Sequence, residues 1–499
     1  MSNNKYRRRS VNVGWQPQPS DYQRVFSEQN SWQSSGAVPE ALAPSTERSL
    51  ASVLWQRLIR NDPRRHQVIL GPRRVGKTTV LYQTVQHLIE NSIDPKRIWW
   101  LRMDHPLLIE VSLGDLVRSM LNGSDADDDN PLFVMLDEVV YARDWDLWLK
   151  TFYDENWPVR IAATSSATAG LRKQRRESGV GRWEEHQLMP CQLDEFLNLL
   201  GLAEEPEAFG TLAERLGALG FELPMDPVTG LRTALLLVGG FPELLLKPFD
   251  PDKLELHVLE SQRVLRSDAV ERAVYKDIPQ TSGVDNPLML ERLLYALAGQ
   301  VTGILSPTGI GKDLGIAQPT FDRYLSYLEQ AYLIFPLTNY SGSEQNVQRR
   351  GRKLYFVDSA VRNAALHRGL APLSDPVEQG LLLENLVASA VNTLAAHAGV
   401  RLHHWRDGNR EVDLIYDDPR QPLAFEIASS PSHGRSGLAA LIERHPHFRG
   451  HSYLIAPQAG VIHPSEEASG IGTLPVDTFL LAVGAQSHQA MLNRLGVTA

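Results

Sequence analysis

The chain of 499 residues is long enough for about three domains. Hydrophobic residues make up 42% of it and charged residues 22%, a composition that excludes a chain disordered throughout. The net charge of −9 argues against a protein that coats nucleic acid or membranes by bulk charge. The single cysteine, Cys191, excludes an internal disulfide and a cysteine-rich zinc site.

The first residues, Met-Ser-Asn-Asn-Lys-Tyr-Arg-Arg-Arg, lack the apolar core of a signal peptide. Elsewhere no stretch approaches the roughly 18 uninterrupted apolar residues of a membrane span. We therefore expect a soluble, cytoplasmic protein with no membrane partner. Residues 1–45 are rich in Ser, Asn, Gln and Pro and are predicted to form a disordered tail.

Residues 46–200 alternate short apolar runs with longer amphipathic stretches. The apolar runs are residues 67–70, 97–101, 132–136 and 159–163, and the clearest helical stretch is 80–89. Strands separated by helices predict a parallel sheet covered by helices on both faces. The sequence therefore predicts an α/β fold for this segment.

Residues 71–78 fit the phosphate-binding pattern G-x-x-x-x-G-K-[ST] at every fixed position, between an apolar run and an amphipathic helix. Gly71 and Gly76 permit a turn whose backbone N–H groups face phosphates. Lys77 is expected to reach the β- and γ-phosphates, and the Thr78 hydroxyl to bind magnesium. The predicted ligands are ATP and Mg²⁺. The candidate nucleotide-binding residues are Gly71, Pro72, Arg73, Arg74, Val75, Gly76, Lys77, Thr78 and Thr79.

Two further strands of this segment end in polar side chains. The strand at 131–136 ends in Asp137, expected to support the metal, and Glu138, expected to orient and activate water. The strand beginning at 161 ends in Thr164, Ser165 and Ser166. A hydroxyl at that position suits contact with the γ-phosphate or the attacking water, and it equally suits an ordinary strand exit.

These motifs occur in order with Gly181-Arg182, residues 190–196 and residues 239–243. Together they resemble a prokaryotic AAA+ ATPase family whose C-terminal half is a conserved domain of unknown function. The resemblance covers about residues 48–457. It implies a P-loop NTPase fold, Mg²⁺-dependent ATPase activity and assembly into a ring or partial ring of identical subunits.

The resemblance also bears on two kinds of site residue. The family's Thr-Gly-Ser-Ser segment has Ser165 in place of glycine here, which leaves Ser166 as the sensor-type residue. An arginine finger acting at a neighbouring subunit is the second implication, and Arg182 is the first candidate, with Arg175 and Arg176 behind it. A solvated role for all three arginines stays open.

Residues 201–283 are predicted to form a helical lid, broken at Gly239-Gly-Phe-Pro242. Residues 284–345 then show the order of a winged helix-turn-helix: a helix at 288–298, a short helix and turn at 306–317, a helix at 318–328 and an extended run at 333–337. The polar face of the third helix comprises Gln318, Thr320, Asp322 and Arg323. Double-stranded DNA and an unknown protein partner are both open as ligands, and the basic run 349–353 would add charge for DNA.

Residues 346–480 resemble the PD-(D/E)XK nuclease core, with Glu384, Asp413 and Glu426 at its acidic positions. These carboxylates are a tentative second metal site. Ala428 stands where the nuclease lysine is expected, and no lysine follows Lys353, so we expect no relocated lysine in this domain and a cleavage activity that is lost or weakened. Residues 481–499 are predicted to be a C-terminal tail.

The sequence thus predicts an ATPase that couples hydrolysis to a conformational switch acting on DNA. Two alternatives stay open. One is an ATP-gated DNA nuclease, with a role in defence against foreign DNA. The other is a signalling or assembly scaffold in which ATP controls oligomerisation and the winged helix binds protein.

Overall fold

The computed structural model describes residues 18–60, 64–166, 181–202, 207–220, 226–246, 253–341, 351–428 and 434–496. Its strands form two sheets, one of five strands and one of seven. Short 3-10 turns connect several elements, at Pro95–Arg97, Val139–Tyr141, Ala371–Leu373, Pro446–Phe448 and Pro464–Glu466.

The five-stranded sheet is parallel throughout, in the order β2-β3-β4-β1-β5. Its strands are β1 (His66–Leu70), β2 (Ile98–Arg102), β3 (Leu132–Asp137), β4 (Val159–Ser165) and β5 (Trp183–Gln187). The accompanying helices are Ala51–Ile59, Lys77–Glu90, Leu113–Asn122, Trp145–Asp154 and Leu193–Leu199. Every residue of β1, β3 and β4 is buried, as expected for parallel strands with both faces covered. The predicted α/β fold is confirmed.

The predicted disordered tail is wrong for residues 18–45. Helices Pro19–Gln29 and Trp32–Ser35 lie against β2, and the Trp32 side chain is fully buried. The Trp32 Nε1–H donates to the carbonyl oxygen of Ile98 at 3.1 Å, and the Asn30 side chain accepts from the backbone N–H of Trp100 at 2.5 Å. The polar composition of this segment predicted disorder because only a few of its residues make contacts with β2. Residues 1–17 lie outside the described residues.

A helical segment follows the first sheet. Its helices are Leu212–Gly217, Asp226–Val238, Pro242–Leu245, Leu254–Leu265 and Ile278–Ser282, with π-helical turns at Arg266–Glu271 and Ala273–Asp277. The predicted break occurs at Gly239, whose φ is +92°. Gly240 packs so closely that a Cβ would lie 2.6 Å from the carbonyl oxygen of Cys191. The glycine pair therefore lets the chain turn in direct contact with the backbone of Cys191, which follows the first sheet.

Three helices then precede a strand pair. The helices are Pro287–Ala298, Pro307–Leu314 and Gln318–Gln330, and strands β6 (Ile334–Asn339) and β7 (Lys353–Phe356) pair antiparallel. Strand β6 also pairs with β8 (Arg401–Asp407) and so belongs to the seven-stranded sheet, in the order β12-β11-β10-β9-β8-β6-β7. The predicted boundary between residues 345 and 346 is therefore wrong, because it divides two paired strands.

The remaining strands are β9 (Arg410–Asp417), β10 (Leu423–Ile427), β11 (Ser452–Ala456) and β12 (Ile471–Pro475). Helices Ser359–Ala365, Pro376–Ala398, Ser436–Arg444 and Val476–Leu495 complete this half. The last helix packs along Pro376–Ala398 and buries Val483, Leu492 and Leu495. The predicted tail at 481–499 is thus wrong as far as residue 496, where the description ends. Among the described residues, no helix is both long and apolar enough to cross a membrane.

Candidate functional site

The phosphate-binding loop joins β1 to the Lys77–Glu90 helix at the carboxyl edge of the first sheet. Gly71 admits no side chain, because a Cβ there would lie 2.0 Å from the carbonyl oxygen of Leu188. Gly76 has a φ of +94°, a backbone conformation that favours glycine. Both fixed glycines of the motif are therefore required by the geometry of this loop.

Lys77 lies inside the loop that it follows. Its side chain is buried, and Nζ donates to the carbonyl oxygens of Gly71 at 2.9 Å and Pro72 at 2.8 Å. Burial lowers the pKa of Lys77, and the nearby carboxylates of Glu138 and Asp137 oppose that shift. The ammonium is thus held by weak neutral acceptors at the centre of the loop, where an anionic oxygen would bind it more strongly.

Thr78 and Thr164 both hydrogen-bond to Asp137. The Thr78 hydroxyl donates to Asp137 Oδ1 at 3.0 Å, and the Thr164 hydroxyl donates to the same oxygen at 2.7 Å. Asp137 is buried, and burial raises its pKa to about 6 while the hydrogen bond from Thr164 acts in the opposite direction. Because β3 and β4 are adjacent and parallel, their carboxyl ends place the carboxylate beside the Thr164 hydroxyl. The Thr78 hydroxyl comes from the helix that follows β1, the neighbour of β4 on its other side.

Glu138 is held by two contacts of its own. Its backbone N–H donates to Thr164 Oγ1 at 2.9 Å, and its Oε2 accepts from the Ser166 hydroxyl at 3.1 Å. Its φ is +53°, an unusual conformation for a side chain other than glycine, asparagine or aspartate. Glu138, Ser166 and Lys77 therefore lie in one site. Thr164, which the sequence analysis named only as part of the strand end, connects the Asp137 carboxylate to the backbone of Glu138.

The loop arginines predicted to bind nucleotide have their side chains on the helical segment instead. Arg73 Nε and Nη2 donate to Asp277 Oδ2 and Oδ1 at 2.6 and 2.7 Å. Arg74 Nε donates to Asp268 Oδ2 at 2.6 Å, and its Nη1 donates to Glu243. Both aspartates belong to the π-helical turns. No sequence pattern marked these partners, because they are almost two hundred residues away from the loop.

Arg182 lies just before β5, at the amino edge of the sheet and therefore opposite the phosphate-binding loop. Its Nε donates to Asp154 Oδ1 at 2.7 Å and its Nη2 to Oδ2 at 3.0 Å. Arg182 thus does not reach the nucleotide site of its own chain, and a role at a neighbouring subunit stays a prediction. The other two candidates, Arg175 and Arg176, lie outside the described residues.

The tentative second metal site contains a lysine. Lys353 Nζ lies 2.6 Å from Asp413 Oδ1 and 2.8 Å from both Glu384 Oε1 and Glu411 Oε1. We call these four residues the lysine cluster. Throughout the described residues, no group of three or more His, Cys, Asp and Glu side chains is arranged to hold a metal ion. The structure thus places a lysine ammonium between Asp413 and Glu384, two of the three residues of the predicted metal site, and metal binding by Asp413, Glu426 and Glu384 stays a prediction.

The expectation that the nuclease-like region has no relocated lysine is wrong. Lys353 lies within residues 346–480, on β7, and its ammonium reaches the acidic positions from the neighbouring edge of the sheet. Its sequence position gave no indication of this, because two helices and strand β8 separate β7 from β9 along the chain. Glu411, a third acidic partner, was likewise missed.

Comparison with known protein families divides the chain into three matched regions. Residues 63–197 match an AAA domain, residues 231–371 a domain of unknown function (DUF8612), and residues 379–476 a second domain of unknown function (DUF4143). The chain carries an AAA domain followed by a DUF4143 domain. The nucleotide site described above lies entirely within the AAA match, which supports an AAA-type P-loop ATPase domain.

Several proteins have sequences similar to this chain over much of their length. One uncharacterized protein of Methanocaldococcus jannaschii is 27% identical over 345 residues, which cover 66% of this chain and 68% of that protein. A second uncharacterized protein of the same organism is 24% identical over 360 residues, which cover 71% of this chain and 72% of that protein. A solved Walker-type ATPase of Pyrococcus abyssi is 15% identical, with coverage of 63% of this chain and 94% of that one and a TM-score of 0.38.

The family matches also locate the lysine cluster. Lys353 falls in the DUF8612 match, whereas Glu384, Glu411 and Asp413 fall in the DUF4143 match. The ion pairs therefore join two matched regions. In the AAA domain, the backbone oxygen of Val75 accepts from Arg48 Nη1 at 2.7 Å, so residues before the match also support the phosphate-binding loop.

Proposed function

We propose that the AAA domain binds ATP with Mg²⁺, hydrolyses it, and passes the change in nucleotide state to the helical segment and the C-terminal half. The observation that carries this proposal is the hydrogen-bonded group of Thr78, Asp137, Thr164 and Glu138 beside the buried ammonium of Lys77, at the carboxyl edge of the first sheet. Together they supply a phosphate-binding cation, two hard oxygen donors for a metal and a carboxylate held for water.

The residues present fit ATP and Mg²⁺. Lys77 presents an ammonium to the inside of a loop that has no room for a side chain at Gly71. A phosphate oxygen would replace the two carbonyl oxygens that now accept from Nζ, as an ion-to-ion hydrogen bond is the stronger one. The Thr78 hydroxyl and the Asp137 carboxylate would hold Mg²⁺, which prefers such oxygen ligands and supplies neutralisation of phosphate charge.

Glu138 is the proposed base for the attacking water. Its carboxylate accepts from Ser166, which fixes the rotation of the side chain while one oxygen stays available to receive a proton. Thr164 ties the backbone of Glu138 to the side chain of Asp137, so that the base and the metal carboxylate keep a constant spacing. Such fixed spacing is what general-base catalysis requires.

Arg73 and Arg74 are the proposed connection to the helical segment. The Arg73–Asp277 pair is largely buried, with exposed fractions of 15% and 6% for the two side chains. A movement of the loop on nucleotide binding must therefore move the π-helical turns or break a buried ion pair. Beyond them, Asp358 at the start of the Ser359–Ala365 helix accepts from the N–H of Gly240 at 2.8 Å, which continues the path into the C-terminal half.

Duplex DNA is the proposed ligand of the C-terminal half. Support comes from the order of three helices and the antiparallel pair β6–β7, the order of a winged helix-turn-helix, in which Gln318–Gln330 would enter the major groove. On that helix Arg323 is exposed, whereas Asp322 pairs with Arg352 at 2.8 Å. A protein partner in place of DNA would show salt-insensitive binding, since its contacts would not release counterions. Assembly into a ring is a further part of the proposal, drawn from the AAA resemblance.

ATP turnover of the full chain, measured with and without duplex DNA, tests this function. Lys77→Ala should abolish nucleotide binding, Glu138→Gln should retain binding and lose turnover, and Arg24→Ala, on an exposed helix face, should match wild type. Turnover stimulated by DNA and lost in both site variants supports the proposal. ATP binding without turnover under any condition would contradict the hydrolysis step, and DNA-independent turnover would contradict the choice of DNA as ligand.

A further inference from the structure

Lys353 is among the most deeply buried charged side chains of the described residues, with an exposed fraction of 2%. Its ammonium is within hydrogen-bond distance of three carboxylates, which come from the Pro376–Ala398 helix and from β9. Burial of an ammonium is costly unless its hydrogen bonds are satisfied and its charge is paired. A lysine has three N–H donors, and here each has a carboxylate oxygen within 2.8 Å.

Two of the three carboxylates accept further hydrogen bonds besides those from the ammonium. Asp413 Oδ2 accepts from the backbone N–H of Ile427 at 2.8 Å, and Glu384 Oε1 accepts a second hydrogen bond from the Tyr355 hydroxyl at 2.9 Å. Glu426, opposite Asp413 on β10, accepts from the N–H of Leu438 at 3.3 Å. Asp413 and Glu384 are thus arranged around the ammonium, a backbone N–H and a tyrosine hydroxyl, with exposed fractions of 13% and 17%, while Glu411 is the most exposed member of the cluster at 30%.

Ala428 occupies the position at which the PD-(D/E)XK nuclease core carries its lysine, and it lies in the hydrophobic core. Ala428 is 3% exposed and packs in an apolar cluster with Leu454, Ala456 and Ala459. A charged side chain has no partner in that cluster. The cation of this region therefore enters from β7 and not from the strand that carries Glu426.

The distances and coordination around Lys353 suit an ammonium and not a divalent metal. Mg²⁺ binds oxygen at about 2.0–2.1 Å and needs close to octahedral coordination, whereas the distances here are those of N–H···O hydrogen bonds. A metal bound to Asp413 Oδ1 would share that oxygen with Lys353, and two cations so close would repel each other strongly in a site of low dielectric constant.

We propose that the Lys353 ammonium replaces the divalent metal in this acidic site, so that the nuclease-like region is held together by an internal cation and does not cleave DNA. The lysine cluster then joins edge strand β7 to strand β9 of the same sheet and to the Pro376–Ala398 helix. The inference does not depend on the ATPase function, because none of its residues belongs to the nucleotide site.

Binding of Mn²⁺ to the full chain without nucleotide, followed by electron paramagnetic resonance, tests the proposal. Wild-type protein and Asp413→Asn should bind Mn²⁺ equally weakly. Lys353→Met, which keeps the side-chain length and removes the charge, should bind at least about tenfold more tightly, a difference of about 1.4 kcal/mol. That gain should disappear in Lys353→Met combined with Asp413→Asn. Lys312→Met, at an exposed lysine, is the matched control and should leave Mn²⁺ binding unchanged.

Two results would overturn the inference. One is tight Mn²⁺ binding by wild-type protein that is lost in Asp413→Asn, and the other is DNA cleavage by wild type, with Mg²⁺ or Mn²⁺, that depends on Asp413. Both are measured without altering Lys353, so they decide the question even where Lys353→Met fails to fold. The absence of both, together with weak wild-type binding, supports the internal cation.

Discussion

Arg73 of the phosphate-binding loop and Asp277 of the second π-helical turn are joined by two parallel hydrogen bonds, of 2.6 and 2.7 Å. A paired guanidinium and carboxylate in this geometry resist both rotation and separation. The loop that would bind nucleotide and the segment that would move in response therefore share one rigid contact. Arg74 adds a second, more exposed contact to Asp268.

Asp277→Asn should uncouple the phosphate-binding loop from the helical segment. The variant leaves the Arg73 guanidinium largely buried without its charge partner, and we expect a loss of about 3 kcal/mol in the free energy of unfolding. Basal ATP turnover should fall less than its stimulation by DNA, because the base and metal residues are untouched. Urea unfolding and turnover assays measure both effects.

Asp268→Asn is the matched control for that experiment. Its partner Arg74 is 30% exposed and Asp268 25% exposed, so water can replace the lost interaction and the effect on stability should be below about 1 kcal/mol. Equal effects of the two substitutions would show that burial of the Arg73 pair is not what couples the loop to the helical segment.

Thr164→Val should impair catalysis more than it impairs nucleotide binding. Valine has nearly the same shape, but it removes the hydroxyl that donates to Asp137 and accepts from the N–H of Glu138. The loss of two buried hydrogen bonds, at about 1–1.5 kcal/mol each, corresponds to a decrease in kcat of about 30-fold to 150-fold. Thr233→Val, at an exposed helical threonine, should leave kcat unchanged. An increase in KM at constant kcat would contradict the proposed spacing role.

The phosphate-binding motif predicted which residues lie together at the site because one short segment determines both the phosphate-binding side chains and the conformation of the loop. Lys77, Thr78 and the strand end at Asp137 could therefore be predicted from the sequence, and the structure brings them together. Lys353 could not, because its carboxylate partners come from elements that only the pairing of β6 with β8 brings close. The polar composition of residues 18–45 likewise gave no sign that Trp32 and Asn30 anchor them to β2.

Asp137→Asn should change how stability depends on pH. Burial raises the pKa of Asp137 to about 6 in the folded protein, above the usual value of about 3.9 in an unfolded chain. A carboxyl with a raised folded pKa contributes stability that is present below pH 4 and is lost as the pH rises through about 6. Relative to wild type, the variant should therefore gain up to about 3 kcal/mol between pH 4 and pH 7.

Urea unfolding without nucleotide, at a series of pH values, measures this difference. Asp115→Asn, at an exposed side chain of the Leu113–Asn122 helix, is the control and should show a constant offset across the range. A constant offset for Asp137→Asn as well would mean that Asp137 is ionised at the same pH in the folded and unfolded chains. In that case the buried carboxylate would already be balanced by Lys77 before any metal binds.

Trp32→Ala should destabilise the AAA domain, although Trp32 precedes the matched region. The side chain is fully buried against β2, packs edge-on against Tyr82 at 6.2 Å between ring centres, and donates to the carbonyl oxygen of Ile98. Removal of a buried tryptophan costs about 3–5 kcal/mol, through lost apolar contact and the cavity that remains. Leu42→Ala, in the same N-terminal segment but 39% exposed, should cost much less. Because β2 lies beside the strand that carries Asp137, a melting temperature that Trp32→Ala leaves unchanged would mean that residues 18–45 are not part of the cooperative unit that holds the nucleotide site.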